Sequence, residues 1–269
     1  MNLFIKKLFF IGIVIATFLG TYSLLIEPYS LTTTKYRINI PSLSGLKIIF
    51  ASDFHIGPYF FEQWRLQKII TAINRKNADI VILGGDYVKG HRKDSSMSID
   101  NIAASLSKIK SQSGIFAVLG NHDSYYDKDE VKGSLLAHGI NVLDNENKRI
   151  SIGDKFLYIA GVSDYYTDKP DIHAALKNTR KPTILVTHSP DVLPQTPKVD
   201  LVLAGHTHGG QIVIPFIGAP LVPSDYGNRY RYGLIRENGN SLIITQGLGT
   251  SLLPIRFNCR PEIIIIEIQ

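Results

Sequence analysis

The feature that most constrains this chain is a His-X-His pair directly behind a short apolar run. Residues 201–204, Leu-Val-Leu-Ala, are typical of a fully buried strand, and Gly-His-Thr-His-Gly-Gly follows at 205–210. Side chains two residues apart on an extended backbone point the same way, so His206 and His208 can present both imidazoles to one point. Open α/β sheets build their sites where strands end. The pair alone does not establish a metal site, because the other ligands must come from elsewhere in the chain.

Four earlier apolar runs end in the same way. Residues 46–51, 78–83, 115–119 and 183–186 are predicted as buried strands, and each precedes residues of metal-binding type. In chain order these residues are Asp53 and His55, Asp86, Asn121 and His122, and His188. The spacing of the first three groups fits βαβ units of about 30 or more residues, whose strand ends lie side by side. With the final pair, the set is too large for one ion with about four protein ligands. It fits two ions that share one carboxylate.

The pattern of apolar residues predicts the fold class. Helices are expected at 61–76, 98–109, 129–138 and 171–176, and an edge strand at 36–40. The second half is mostly strands, expected within 140–162 and at 210–214, 232–236, 242–245 and 262–268. This order indicates an α/β domain of two sheets packed face to face with helices outside. We expect one domain over 46–269, preceded by a linker and edge strand at 31–45.

The N-terminus predicts a membrane anchor over residues 1–30. Lys6 and Lys7 precede an uncharged run at 8–26, and about 20 apolar residues span a bilayer. A cleaved signal peptide is the alternative, but its apolar region is usually ~7–15 residues long and ends in an Ala-x-Ala-like site; residues 21–25 offer no such site. The two lysines favour a cytoplasmic N-terminus, whereas basic residues at 35, 37 and 47 leave the orientation open.

Composition narrows the classes of partner. The formal charge of +6 suits an anionic partner such as a phosphate ester, an acidic lipid or nucleic acid. Lysine and arginine are dispersed, however, and no basic stripe of the kind that binds nucleic acid stands out. The single cysteine, Cys259, excludes an intrachain disulfide and a cysteine-based zinc site.

The strand-end residues carry a resemblance to a known family. In order, the motifs of the calcineurin-like metallophosphoesterases are matched by Asp53-Phe54-His55, Gly85-Asp86, Gly120-Asn121-His122-Asp123, His188 and Gly205-His206-Thr207-His208. The match extends from about residue 46 to the C-terminus and implies a four-layer α-β-β-α sandwich of two mixed sheets. The anchor and the ending at 247–256 resemble the membrane-bound bacterial phosphodiesterases. Some relatives of that branch hydrolyse the pyrophosphate of UDP-2,3-diacylglucosamine in lipid A synthesis.

The resemblance implies a role for each motif residue. The first ion would be held by Asp53, His55, Asp86 and His208, and the second by Asp86, Asn121, His188 and His206. Mixed imidazole and carboxylate ligands favour Mn, with Fe or Zn as alternatives. Such a pair of cations activates a water and neutralises phosphate oxygens. His122 would not be a ligand; it would stabilise the phosphoryl oxygens or protonate the leaving oxygen.

One position departs from part of the superfamily. Its protein serine/threonine phosphatases carry an aspartate three residues after the bridging one, paired with the catalytic histidine. Lys89 stands there in this chain. This departure argues against a protein phosphatase and leaves open what orients His122.

Substrate specificity is less strongly encoded. The segment 215–232 follows the metal histidines and can form one wall of a cleft. Arg229 and Arg231 are candidates for holding a second phosphate, and Tyr226 for stacking on a base or lining an acyl groove. The alternative is an ordered loop without a binding role. The remaining histidines, His91, His138 and His173, are expected at the surface.

The sequence therefore predicts a single-pass protein of the bacterial inner membrane that hydrolyses phosphodiester or pyrophosphate bonds with two divalent metals. The expected substrate is lipid- or nucleotide-linked, UDP-2,3-diacylglucosamine being one example. A nuclease with the same chemistry is one alternative, favoured by the positive charge. A catalytically retired membrane scaffold is the other, and the intact ligand positions argue against it. No protein partner can be inferred, and a nucleic-acid partner is not expected.

Overall fold

Two six-stranded sheets form the framework of the computed structural model, which describes residues 3–90 and 92–269. The strands are β1 (Thr32–Ile38), β2 (Lys47–Ala51), β3 (Ile80–Leu83), β4 (Ile115–Ala117), β5 (Asn141–Val142), β6 (Glu146–Ile152), β7 (Lys155–Gly161), β8 (Thr183–Thr187), β9 (Leu201–Ala204), β10 (Gly233–Glu237), β11 (Asn240–Ile244) and β12 (Glu262–Ile268). The helices are α1 (Leu3–Thr21), α2 (Phe60–Asn74), α3 (Ile99–Leu106), α4 (Asn121–Ala137) and α5 (Ile172–Ala175).

Both sheets are mixed. The first has the order β1-β12-β2-β3-β4-β5, in which only the β12–β2 pair is antiparallel. The second has the order β10-β11-β9-β8-β7-β6, with parallel pairs in the centre and an antiparallel pair at each edge. The parallel strands β2, β3 and β4 therefore end at one edge of the first sheet, and β8 and β9 end at one edge of the second.

Successive side chains of the central strands face two different hydrophobic cores. In β2, Ile48 and Phe50 face the core between the sheets, whereas Ile49 and Ala51 face the core under α2, α3 and α4. This is the two-residue period of a strand buried on both faces. The outer face of the second sheet is covered by α5 and neighbouring loops, through Ala175, Leu193 and Tyr230. The predicted α-β-β-α sandwich of two mixed sheets is thereby confirmed.

The N-terminal helix stands apart from these layers. None of the α1 side chains that the structure describes is buried, and the helical segment Leu3–Tyr29 is long and apolar enough to cross a membrane. Beyond α1 the chain continues in short helical turns to Tyr29 and makes firm contact with the sandwich. The Arg256 amide donates to the Ser23 carbonyl at 2.9 Å, and buried Glu27 accepts from the Cys259 amide.

Three elements differ from the sequence prediction. The edge strand covers 32–38 rather than 36–40, because it pairs in parallel with β12 along its whole length. The strand expected at 210–214 is replaced by a helical turn at His208–Gly210 and isolated bridges, since Gly209 and Gly210 have positive φ. The helix expected at 129–138 begins at Asn121. Its first turns are polar and carry no apolar period that would reveal them.

Candidate metal centre

The carboxyl ends of five strands meet at one end of the sandwich. β2, β3 and β4 lead to Asp53 and His55, to Asp86, and to Asn121 and His122, while β8 and β9 lead to His188 and to His206 and His208. The loops are tied across both sheets. The Asp53 amide donates to the Gly85 carbonyl at 2.9 Å, and the Gly205 amide to the His188 carbonyl at 2.8 Å. The structure thus brings together the residues that the sequence proposed as one site.

The backbone at this site is strained. The values of φ are 58° at Asp53, 45° at His55, 55° at Asp86, 69° at His206 and 50° at His208. Non-glycine residues rarely adopt positive φ, and such conformations cost of order 1–3 kcal/mol each. The loops persist because their amides are hydrogen-bonded and their side chains are buried. The strain aims the side chains inward.

One group of donor atoms surrounds the space between Asp53, His55 and His208. The Nε2 atoms of His55 and His208 lie 3.0 Å apart. His208 Nε2 is 3.5 Å from an Asp53 carboxylate oxygen, and His55 Nε2 is 3.4 Å from Asp86 Oδ2. These side chains are buried. Two imidazole nitrogens and two carboxylates therefore converge, which is the donor chemistry of a divalent transition-metal site.

A second group of donor atoms also meets Asp86. His188 Nε2 is 3.2 Å from Asp86 Oδ2, and His206 Nδ1 is 3.2 Å from His188 Nε2. The buried Asn121 Oδ1 has no hydrogen-bond partner among the described residues. A buried acceptor without a donor is costly in a folded protein, so this oxygen fits a cation. Asp86 borders both groups, as a bridging ligand would.

Hydrogen bonds fix one imidazole for coordination. His188 Nδ1 lies 2.8 Å from the Gly84 carbonyl oxygen, which can only accept, so Nδ1 carries the proton. The other ring nitrogen, Nε2, then faces Asp86, in the way that outer-shell partners orient metal-binding histidines.

Burial and neighbouring charges shift the pKa values of these side chains in different directions. Burial lowers the pKa of His206 to about 3, with the charge of His188 acting in the same direction, and burial also lowers those of His55 and His208. Burial also acts to lower the pKa of His188. The nearby Asp86 carboxylate outweighs this effect, and the pKa of His188 is raised. In return, His188 overcomes the effect of burial on Asp86 and holds that pKa well below its usual value. The neutral imidazoles of His55, His206 and His208 are in the protonation state that metal binding requires, whereas His188, charged beside Asp86 in the metal-free protein, would release a proton when an ion binds.

His122 lies beside these groups. Its ring packs edge-on against His55 with centroids 4.5 Å apart, and its Nδ1 donates to the Lys89 carbonyl oxygen. Its Nε2 is 3.5 Å from Ser251 Oγ. The structure thus answers what orients this histidine: where protein phosphatases carry an aspartate, the main chain of Lys89 supplies the acceptor. His122 also lies within ligand distance of His55 and Asp86, so its exclusion from the ligands stays a prediction.

Asp123 belongs to the Gly-Asn-His-Asp motif, but the sequence alone does not indicate its role. Its carboxylate accepts from the amides of Asp86, Tyr87 and Gly120 at 2.8–2.9 Å. It therefore holds the loop of the bridging carboxylate against the start of α4. Burial, reinforced by the Asp86 charge, raises its pKa to about 7. An acidic residue three positions after the N-cap residue, here Gly120, is a capping signal that could have revealed this role.

The three candidate substrate residues make other contacts. Arg229 pairs with Glu237 at 2.8 Å and lies over the ring of Tyr226. Arg231 donates to the Gly209 carbonyl at 2.9 Å and so supports the loop of the metal histidines. Neither arginine nor Tyr226 lines the cavity over the site. Their predicted role in substrate binding stays a prediction.

The histidines that were expected at the surface differ in their exposure. His173 is exposed, His138 is half-buried near Asp100, and His91 lies outside the described residues.

A cavity of about 380 Å³ opens directly over the site. Its floor includes Asp86, His122 and His206, and its walls are mainly apolar, with Ile212, Pro220, Leu221, Pro223, Leu252 and Leu253. A second cavity of about 260 Å³ reaches from His55 and Lys89 to Tyr29 at the end of the N-terminal helical segment. Residues 249–254 contribute to both cavities and lie between them. A substrate entering either cavity would meet an apolar or aromatic wall and then the cluster of ligands.

Comparison with known proteins places this geometry in a family. The family model of the calcineurin-like phosphoesterases matches residues 46–210. The chain is 35% identical to an uncharacterized metallophosphoesterase of Aquifex aeolicus, over 95% of this chain and 98% of that protein. It is 31% identical to the uncharacterized metallophosphoesterase YkuE of Bacillus subtilis, over 92% and 89%, and 32% identical to phosphodiesterase YaeI of Escherichia coli, over 82% of each. The chain therefore belongs to the calcineurin-like phosphoesterases and is a hydrolase acting on phosphoester bonds.

Proposed function

We propose that this chain is a membrane-anchored phosphodiesterase or pyrophosphatase that uses two divalent metal ions. The observation that carries the proposal is the position of Asp86, whose carboxylate borders two groups of buried donor atoms. His122 and the cavity lie on the same side of this pair. A shared carboxylate between two ligand groups is the arrangement that two-metal hydrolysis needs.

The contacts support the two donor sets that the resemblance to the family implies. Asp53, His55, Asp86 and His208 would hold one ion, and Asp86, Asn121, His188 and His206 the other. Nitrogen and oxygen donors in this mixture favour Mn, Fe or Zn over an all-oxygen Mg or Ca site, and Mn is our first choice. When bound, two such ions supply an activated water nucleophile and neutralise the phosphate oxygens.

The protein's own catalytic group would be His122. Because Nδ1 donates to the Lys89 carbonyl, the ring would exchange a proton through Nε2. Nε2 lies toward Ser251 at the wall of the cavity. In its protonated form it can donate to a phosphoryl oxygen or to the leaving oxygen, and the products then dissociate without a covalent enzyme intermediate.

A lipid- or nucleotide-linked substrate fits the walls of the cavity better than nucleic acid does. Leu221, Leu252 and Leu253 line it, whereas Arg229, a candidate for holding a further phosphate, is paired with Glu237. The apolar helix would fix the enzyme at a bacterial inner membrane, beside lipid-linked diesters. The phosphodiesterase relative in Escherichia coli supports the diester class. UDP-2,3-diacylglucosamine is one candidate within it.

The test uses the full chain in detergent. Glu27 accepts a hydrogen bond from the sandwich, and a truncation after the helical segment Leu3–Tyr29 would remove it. The protein is stripped by chelation and reloaded with Mn, Fe or Zn. Soluble phosphodiester, phosphomonoester and UDP-diacylglucosamine substrates are then compared. Metal-dependent cleavage of diesters or of the pyrophosphate supports the proposal. Activity confined to monoesters would refute the substrate class, and bound metal without any turnover would favour the scaffold.

A further inference from the structure

Exposed apolar side chains outside the N-terminal helical segment Leu3–Tyr29 are concentrated in three segments. We call residues 59–64, 214–221 and 252–253 the apolar rim. Its exposed members are Tyr59, Phe60, Phe61, Trp64, Ile214, Phe216, Ile217, Leu221, Leu252 and Leu253. Elsewhere on the described sandwich, exposed large apolar side chains occur singly, as at Leu136. A concentrated apolar surface marks a contact with a protein or a membrane.

All three segments adjoin the end of the N-terminal helical segment. The ring of Phe61 packs edge-on against Tyr29, with centroids 6.3 Å apart. The segment that carries Leu252 and Leu253 continues to Arg256, whose amide donates to the Ser23 carbonyl at 2.9 Å. Pro215 and Tyr22 line one common cleft, so residues 214–221 also lie beside the end of the helical segment. The rim is therefore continuous with the apolar surface of α1.

The rim also borders both cavities. Leu221, Leu252 and Leu253 line the cavity over His122, and Tyr59 and Phe61 line the second cavity. A molecule that reaches the metal ligands through either cavity passes these side chains.

Two side chains of the rim are exposed to water in backbone conformations that cost free energy. Phe216 is fully exposed with φ of 68°, and Leu252 is 86% exposed with φ of 55°. Bulky residues rarely adopt positive φ, and exposure forgoes the free energy of burying an apolar side chain. Insertion of Phe216 and Leu252 into a lipid layer would recover the free energy of burial without a change in the conformation of the loops.

We propose that the apolar rim is a second membrane-contact surface, seated on the same bilayer that α1 crosses, so that the cavity opens at the lipid surface and takes phosphodiesters carried by membrane lipids. This inference rests on the proposed function. Trp64 and Tyr59 are side chains typical of a membrane interface. Lys68, which lies over the ring of Trp64 and donates to the Tyr29 carbonyl, adds positive charge suited to anionic headgroups. Continuity with α1 favours a bilayer as the occupant over a second copy of the chain.

Trp64 allows a direct test, because it is the single tryptophan of the chain. The full-length protein is reconstituted in vesicles of phosphatidylethanolamine and phosphatidylglycerol, with or without lipids brominated near the headgroup. We expect bromine to quench at least half of the Trp64 fluorescence. The matched control combines Trp64→Phe with Leu136→Trp. Leu136 lies in the last turn of α4 and outside the apolar rim, so a tryptophan at this position should not be quenched.

A second readout compares two diesters with the same leaving group. One is a diacylglycerol p-nitrophenyl phosphate in the vesicles, and the other is water-soluble methyl p-nitrophenyl phosphate. The double variant Phe60→Ser and Phe216→Ser changes rim side chains that line neither cavity. We expect it to lower the rate on the lipid diester at least tenfold and leave the soluble rate within twofold. Leu136→Ser should change neither rate.

The outcomes separate the two proposals. Failure to hydrolyse either diester would count against the proposed function, while quenching would still decide whether the rim meets the membrane. Unquenched Trp64 together with equal lipid rates in wild type and double variant overturns the inference. Trp64 shielded from bromide ions but unquenched by brominated lipid, with crosslinking between copies, would assign the rim to a second copy and overturn it as well.

Discussion

The main-chain carbonyl of Lys89 accepts a hydrogen bond from Nδ1 of His122, and this contact determines which nitrogen the catalytic candidate presents to the cavity. Gly90 permits the approach, since a Cβ atom there would lie 2.6 Å from His122 Nδ1. A carbonyl gives no charge to the imidazole, unlike the aspartate of the protein phosphatases. It fixes the orientation of the ring without placing a negative charge beside it.

Replacement of His122 should remove catalysis and leave metal binding intact. For His122→Ala we expect kcat to fall roughly 10²–10⁴-fold, the usual contribution of a positioned acid or base. The metal content, measured by elemental analysis after reloading, should match the wild type because the two donor sets remain complete. Loss of an ion in the variant would show that His122 is a ligand, as its distance to His55 and Asp86 would permit.

A methyl group at Gly120 should destroy the site. Its Cβ would lie 2.2 Å from Asp86 Oδ1, far inside van der Waals contact. We expect Gly120→Ala to lose bound metal and activity, measured by elemental analysis and diester hydrolysis. Gly133→Ala, within the helix that Gly120 precedes, is the matched control. Nothing lies within 4 Å of its added Cβ, so it should keep activity and gain roughly 0.5–1 kcal/mol in the free energy of unfolding.

Acid should destabilise the metal-free protein through His206. Its pKa is about 3 in the folded chain and about 6.5 when unfolded, so below pH ~6.5 the unfolded state binds more protons and stability falls. Between pH 7 and pH 4 this loss is roughly 3 kcal/mol. Urea unfolding of metal-free His206→Gln should show a smaller loss over that interval.

Two carboxyl groups act in the opposite sense over the same interval. The pKa values of Asp53 and Asp123 are raised to about 6 and about 7, mainly by burial, so the folded state binds more protons as the pH falls toward 4. Both groups are present in wild type and variant, and their contribution cancels in the comparison. Equal losses in the two proteins would contradict the assignment to His206.

The end of the helical segment should contribute to the stability of the sandwich. Glu27 is buried and accepts from the Cys259 amide, while the Cys259 thiol donates to the His208 carbonyl at 3.2 Å. Glu27→Ala leaves a buried amide without its acceptor, which costs about 1–3 kcal/mol. Ser30→Ala removes an exposed hydrogen bond from the same turn and should cost less than about 0.5 kcal/mol. Equal midpoints of urea unfolding for the two variants would refute this role.

The ligand positions were predictable from sequence because metal chemistry restricts residue type and parallel strands restrict location. Asp53, Asp86 and His188 each follow a run of buried residues, so the end of the strand could be located without a structure. The contacts of Arg229 could not be located in this way. Its partner Glu237 lies across a turn of the chain, and sequence shows the charge of an arginine but not the direction in which it points.

The sequence by itself determined the layers of the fold, the residues at the strand ends and the apolar N-terminal helix. These features depend on periodicity and on the chemistry of single residues, which are local properties. Only the tertiary structure decided that the Lys89 carbonyl orients His122, that Glu27 lies within the sandwich and that three distant segments form one apolar rim. Such contacts join residues remote in the chain, and they follow from packing, which a linear pattern does not specify.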